Sequence, residues 1–381
     1  MPSSIYLDNN AATFLDPKVR ATLLDFFSRD FGNPSSMHAD GRRARAKLIL
    51  ARDRVAKYFS VSPRDIIFTS GGTESIHLAL LGLAQAVPPG HLITSHIEHF
   101  ALVKTIEVLE KMGWDVTRLP VGEKGAIEVD DLCKAIRSNT RLIALSAVNN
   151  ETGVKIDLDS IASIANEAGI LFFVDAVALL GKEEFQIPFG VSALAFSAQK
   201  CHGPKGVGLA LIKGHLPFSA QLLGGDQEMQ KRAGTENLGG IVAMAEAIAI
   251  LKDVLPQASH HMANLRDRFE EGIFASLKGV HRNGRGLRIS NTTNLSFDGV
   301  DGESFLIALD MEGVSASLGS ACMTGALKSS HVLESMGLSK ERVQSAIRFS
   351  LSRFTTKEEI ERAVEIVVRT VNRLRNPRLG Q

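Results

Sequence analysis

Cysteine is scarce in this chain: Cys133, Cys201 and Cys322 are scattered and odd in number. Three such residues build no disulfide framework, so a reducing cytoplasm fits best. No Cys-x-x-Cys pair occurs, and no metal site is expected. An excess of either charge is also missing, since 43 Lys and Arg face 42 Asp and Glu for a net charge of +1. Acids and bases are interspersed, which excludes the basic face of a dedicated nucleic-acid binder; no direct nucleic-acid partner is expected. No apolar run approaches the ~20 residues needed to cross a bilayer, so no membrane partner is expected either. The opening residues Met1-Pro2-Ser3-Ser4-Ile5-Tyr6-Leu7-Asp8 lack a basic n-region and an apolar h-region, and no signal peptide is expected. Neither Gly-x-Gly-x-x-Gly nor the P-loop pattern is found, which disfavours nicotinamide and nucleotide enzymes. Internal repeats and low-complexity tracts are absent.

What remains is the composition of an ordinary soluble globular protein, 44% apolar and 22% charged over 381 residues, long enough for two domains. Between about residues 60 and 215, short β-branched runs alternate with amphipathic stretches. The runs predict strands at Asp65–Thr69, His91–Ser95, Trp114–Leu119, Arg141–Ser146, Ile170–Asp175, Ala193–Ser197 and Val207–Ile212. Helices are predicted around 74–86, 98–112, 129–137 and 157–168. Such alternation implies an α/β fold with a mainly parallel sheet flanked by helices. After about residue 236 the pattern changes. Two helical stretches (237–253 and 256–276) lead to a strand at Thr292–Ser296, a helix at Glu303–Asp310, a Gly/Ser/Ala-rich loop and a strand-helix pair at 346–375. A smaller α+β domain is expected there.

Ligands of open α/β sheets bind beyond the carboxyl ends of the strands, so the residues that follow each strand matter most. Ser70-Gly71-Gly72-Thr73-Glu74 is a small-residue turn opening a helix, suited to a phosphate, or equally a plain N-cap at Thr73. Ile97-Glu98-His99 places a histidine where it would stack on a ring or move protons, unless it is structural. Asn149-Asn150 are ordinary turn formers. Asp175 ends a continuous apolar strand, and a buried acid there needs a cation; a protonated pyridine nitrogen is one. Ser197 and Lys200 follow the next strand, before the turn Gly203-Pro204-Lys205-Gly206. A lysine in a partly dry pocket becomes an amine nucleophile that captures an aldehyde, although a lysine near a turn is otherwise a surface residue. A phosphate turn, an aromatic base, an amide, an acid and an amine at five strand ends together favour a site for pyridoxal 5'-phosphate.

These residues carry a resemblance that runs nearly end to end. It includes Tyr6-Leu7-Asp8-Asn9-Asn10-Ala11-Ala12-Thr13, Gly32-Asn33-Pro34-Ser35-Ser36-x-His38, Thr69-Ser70-Gly71-Gly72-Thr73-Glu74-Ser75, Glu98-His99 and Val148-Asn149-Asn150-Glu151. It continues through Val174-Asp175-Ala176, Lys200, Arg232-Ala233-Gly234-Thr235-Glu236-Asn237, Gly319-Ser320-Ala321-Cys322 and Ile347-Arg348-Phe349-Ser350. The chain resembles the cysteine desulfurases, class V aminotransferases of the fold-type I pyridoxal-phosphate enzymes. Gly319–Cys322 with Ser330-His331-Val332-Leu333 is similar to their long-loop branch, which serves iron–sulfur assembly and tRNA thiolation.

The resemblance implies a large cofactor domain over 16–255 and a small domain over 1–15 and 256–381 that carries the cysteine loop. It implies Lys200 as the Schiff-base lysine, Asp175 on the pyridine nitrogen, and His99 stacked on the ring and assisting the substrate thiol. Gly72, Thr73, Asn150, Ser197, Gln199 and, from a neighbouring subunit, Thr235 would complete the cofactor site. Asn150 and Arg348 would receive the substrate carboxylate. Cys322 would attack the sulfur of L-cysteine, leaving L-alanine and a persulfide for an iron–sulfur scaffold or another sulfur acceptor. Its small neighbours distinguish it from Cys133, which sits among bulkier apolar residues as structural cysteines do. A homodimer is implied. A selenocysteine lyase, another class V aminotransferase and a non-catalytic scaffold are alternatives left open.

Three positions depart from the family pattern. Ala178 stands where a glutamine usually bonds the ring hydroxyl, and Gln199 where a histidine is common. Gly224-Gly225-Asp226-Gln227-Glu228-Met229-Gln230 replaces Gly-Gly-Gly-Gln-Glu-Arg-Gly, and Asp226 would weaken anion binding if it pointed inward. A missing neutral hydrogen bond costs about 1 kcal/mol, so the expectation is an active enzyme with a less firmly held cofactor.

Overall fold

The computed structural model describes residues 4–319 and 329–376. A short strand, β1 (Ile5–Tyr6), precedes the central sheet, whose strands are β2 (Ile66–Thr69), β3 (His91–Ser95), β4 (Asp115–Leu119), β5 (Thr140–Ser146), β6 (Leu171–Asp175), β7 (Ala193–Ser197) and β8 (Gly208–Ile212). Their spatial order is β2-β8-β7-β6-β5-β3-β4. Pairings from β4 across to β7 are parallel, and β8 runs antiparallel between β7 and β2. The mainly parallel α/β sheet expected from the sequence is therefore present.

Its strands are apolar almost without alternation because both faces are covered. Along β5, Leu142 and Ala144 join an apolar cluster with Leu80, Leu102 and Ile106 from the helices Gly72–Ala84 and Phe100–Lys111. The intervening Ile143 and Leu145 join the opposite cluster with Leu48, Val55 and Ile161 from the helices Ala39–Phe59 and Leu158–Glu167. Predicted strand starts at Asp65, Trp114, Ile170 and Val207 fall one residue early, whereas β5 starts at Thr140, one residue before the predicted Arg141. Asp65 instead closes a 3-10 turn, where Ser62 and Asp65 cap each other.

The two helical stretches predicted at 237–253 and 256–276 are one helix, Leu238–Ser276, which runs through Pro256. An interior proline removes one backbone hydrogen bond at a cost of about 3 kcal/mol. Burial on either side offsets it: Leu251 and Leu255 belong to one apolar cluster, and Leu265, Phe269 and Ile273 to another.

That second cluster underlies β9 (Val280–Arg282), β10 (Thr292–Phe297), β11 (Val314–Ser315) and β12 (Ala346–Ser350). β12, β10 and β9 form an antiparallel sheet, and β1 pairs in parallel with β11. Ile5 and Leu7 thereby pack with Phe297, Phe349 and Val367. The helix Lys357–Arg375 opens with a capping box between Thr356 and Glu359 and buries Ile360, Ala363, Val367 and Val371 on one stripe. Spacings of three and four give that stripe its face.

Candidate active site

A cavity of about 320 Å³ lies at the carboxyl ends of the parallel strands and is lined by Gly72, Thr73, His99, Asn150, Asp175, Ser197, Gln199, Lys200 and Arg348. Nine side chains or backbone positions singled out by sequence therefore share one wall. Thr235 does not; it is exposed beside a separate recess with Arg232 and Glu236. Cys322 lies outside the described residues.

Lys200 ends the 3-10 turn Ala198–Lys200 that follows β7. Its Nζ donates to the carbonyls of Asn10 and Ala11, at 2.6 and 2.7 Å. The segment before Thr13 is tied to this turn, because Thr13 donates from both its backbone N–H and its hydroxyl to the Gln199 carbonyl. Asn10 and Ala11 thus position the lysine, a role that the amino-terminal motif signalled only as part of the family pattern.

Asp175 closes β6 and is buried. Burial pushes its carboxyl above the usual carboxylate range, against the pull of His99, the Val177 N–H and Lys200. A partner cation at this carboxylate would reverse that shift. His99 caps the helix Phe100–Lys111, its Nδ1 accepting from the Ala101 N–H at 3.1 Å. The neutral ring consequently carries its proton on Nε2.

The helix Gly72–Ala84 begins after Gly71 with no side chain bonding its first N–H groups. Thr73 lies inside the helix, so the N-cap reading of that residue does not hold. A side chain at Gly72 would meet Val177 Cγ2 at 3.0 Å and Ser197 Cβ at 3.5 Å, so the turn is closely walled. Unpaired N–H groups at a helix start beside a serine suit an anionic group.

Arg348, 2% exposed on β12, donates to Asp8 Oδ1 at 2.8 Å and to the Asn150 carbonyl at 3.1 Å. Its buried Nε has no partner. Glu151 stands close by, pushed up by burial and opposed by Ser330, Arg348, His331 and His99. Ser330 donates to Glu151 Oε2 at 2.5 Å. A Cβ at Gly319 (φ +49°) would fall 2.6 Å from the same oxygen. The residues on either side of the undescribed 320–328 segment therefore converge on one buried acid.

Of the departures, Ala178 lines the cavity with a side chain that cannot donate, and Gln199 lines it too. Asp226 is exposed, accepts from Gln230 Nε2, and is not on the cavity wall. Its expected weakening of anion binding has no geometric basis within this subunit. Sequence reading missed Lys182, also on the wall.

Residues 5–363 match the aminotransferase class-V family. Two curated relatives sharpen the assignment: cysteine desulfurase IscS of Dictyoglomus turgidum, 39% identical over 98% of this chain and 96% of its own, and cysteine desulfurase 2 of Trichormus variabilis, 40% identical over 98% and 94%. The chain belongs to the cysteine desulfurase family of class V aminotransferases. Among solved structures, a NifS-like protein superposes with a TM-score of 0.90 at 33% identity, covering 97% of this chain and 99% of that one. SspA in complex with cysteine superposes at 0.80 with 30% identity, covering 93% and 100%. These neighbours establish the fold-type I architecture.

Proposed function

We propose that this chain is a pyridoxal-phosphate-dependent cysteine desulfurase that converts L-cysteine to L-alanine and leaves a persulfide on Cys322. The observation that carries the reading is the meeting of Lys200, buried Asp175 and an uncapped helix start in one cavity with Arg348. An amine, an acid in want of a cation and free N–H donors match the aldehyde, ring nitrogen and phosphate of that cofactor. When bound, the cofactor supplies an electron sink beside the substrate's Cα.

The remaining work falls to the chain. Lys200 would hold the cofactor's aldehyde and move the substrate's Cα proton, with the Asn10 and Ala11 carbonyls fixing its approach. Asp175 would hold the ring nitrogen in its protonated form. Gly72 and Thr73, with Ser197, Gln199 and a partner subunit's copy of Thr235, would bind the phosphate. Arg348 and Asn150 orient the substrate carboxylate, the guanidinium first exchanging Asp8 for it. His99 would stack on the cofactor ring; with Nδ1 engaged by the Ala101 N–H, it would accept the thiol proton only by releasing Ala101 or shifting its own proton. The substrate's carbon–sulfur bond breaks, a sulfur–sulfur bond forms on Cys322, and the carbon left behind takes up a proton. No outside oxidant or reductant enters.

The same reading takes 16–255 as the cofactor domain, with 1–15 and 256–381 as the small domain; the separate apolar cluster joining Ile5 and Leu7 to Phe349 and Val367 supports it. A homodimer is supported by exposed Leu24, Phe27, Phe31 and Leu223. The persulfide would pass to an iron–sulfur scaffold or a tRNA-thiolating acceptor in the cytoplasm. Among the described residues no helix is long and apolar enough to cross a membrane.

The test is alanine release from L-cysteine by the purified protein with pyridoxal phosphate, joined to mass spectrometry of Cys322. Alanine and a Cys322 persulfide are expected. Turnover that survives Cys322→Ala in full would refute the assignment of the nucleophile.

A further inference from the structure

Lys182 lines the candidate site, is 1% exposed, and follows Asp175 across the apolar turn Ala176–Gly181. Its Nζ donates to the Lys200 carbonyl at 2.9 Å, and its own carbonyl accepts from Ser290 Oγ at 2.9 Å. An ammonium has three donors, and no carboxylate among the described residues lies within ion-pair distance of this one. The groups that face it are Lys200, Cys201 and Arg353. Arg353 is taken up by Asp16. Burial pushes the Cys201 thiol up to about 11, so it stays protonated and neutral. His202, which also faces Lys182 and Arg353, is pushed down to about 3 by burial and is neutral as well. Beyond Lys200 stand Asp175 and His99.

Lys182 is thus a buried cation with cations and neutral groups around it. Uncompensated burial costs several kcal/mol, and groups perturbed in this way cluster at functional sites. A second cation beside a lysine is one of the ways an amine nucleophile is kept unprotonated. We propose that Lys182 is a positioning residue for Lys200, fixing its backbone through the carbonyl and disfavouring a proton on its side-chain nitrogen by charge repulsion. The inference rests on the reading of Lys200 as the Schiff-base lysine. Burial lowers Lys182 itself to about 8, so its charge is present at neutral pH and fades above that value.

The test is a pH titration of the absorbance of the lysine–pyridoxal phosphate chromophore in the holoenzyme. The wild type is compared with Lys182→Arg, Lys182→Gln and Lys182→Met. Lys182→Arg keeps the charge and should titrate with the wild type up to about pH 8, where Lys182 itself loses its proton. Lys182→Gln keeps a donor for the carbonyl but not the charge, and Lys182→Met keeps neither. Both should titrate about 1 pH unit higher, a tenfold gain in proton affinity at the chromophore nitrogen. A purely structural brace would leave the midpoint where it is. If the methionine variant fails to fold, the glutamine variant decides. An unmoved midpoint in a variant that forms the chromophore overturns this inference alone. A wild-type protein that forms no chromophore, or one that persists in Lys200→Ala, overturns the underlying reading and this inference with it.

Discussion

Glu98 gives the sharpest stability prediction, because its carboxyl is buried just before His99 and is pushed by burial from an ordinary 4.5 to about 7. Ser95 Oγ donates to Oε1 at 2.5 Å, and the Ser146 N–H and Oγ donate to Oε2 at 2.8 and 2.6 Å. These bonds favour the ionised form, as Asp175 opposes it, but burial outweighs them. The folded state therefore holds a proton that the unfolded chain releases between pH 4.5 and 7. Stability from this group is fully present below the unfolded value and is lost as pH rises through the folded one. The loss is the pKa difference times 1.36 kcal/mol, or about 3 kcal/mol. Glu98→Gln imitates the protonated carboxyl: its amide NH2 donates to Ser95 Oγ, and its oxygen keeps accepting from Ser146. Urea unfolding of both proteins, in the same cofactor state, at pH 5 and pH 8 isolates the effect, since all other titrations cancel in the difference. The glutamine variant should be ahead by less than about 1 kcal/mol at pH 5 and by about 3 kcal/mol at pH 8. A gap that does not change between the two pH values would refute the reasoning.

Gly153 has φ +74°, and a Cβ there would lie 2.8 Å from Thr292 Cβ; Gly153→Ala should cost about 2 kcal/mol in unfolding experiments, and a neutral result would contradict the geometry. Asp16 and Arg353 form a largely buried ion pair; Asp16→Asn should cost about 3 kcal/mol by leaving the guanidinium uncompensated, measurable by thermal melting. Lys200→Ala should abolish the yellow absorbance of the protein mixed with pyridoxal phosphate, and an unaltered spectrum would place the aldehyde elsewhere.

The sheet was legible where burial on both faces removes ambiguity. Leu171-Phe172-Phe173-Val174 has no polar residue to set an alternation, so it reads as a covered parallel strand, and the acid that ends it reads as a site. Proline misled the reading at 256, since local backbone chemistry says stop while Leu255 and Ala258 on either side are buried. That burial is tertiary and leaves no local mark. Lys182 was missed for a related reason. A lone lysine after an apolar turn has the pattern of a solvated charge, and only the approach of the Lys200 carbonyl reveals otherwise. Thr73 resembled an N-cap by type, yet the backbone places Gly71 at that position.

The unbroken helix Leu238–Ser276 has a mechanical consequence. At 1.5 Å per residue its 39 residues reach roughly 58 Å, and it is rooted in the apolar cluster of the central sheet at one end and that of the carboxyl-terminal sheet at the other. It acts as a strut between them, so this connection resists the swivelling that a loop would permit. Its weakest point in bending is the turn around Pro256, where one rung of the backbone ladder is missing. Any rigid-body motion that brings Arg348 nearer to Lys200 must flex the strut there and also move the other chain crossing between the two apolar clusters, the segment from Leu7 to Asp16.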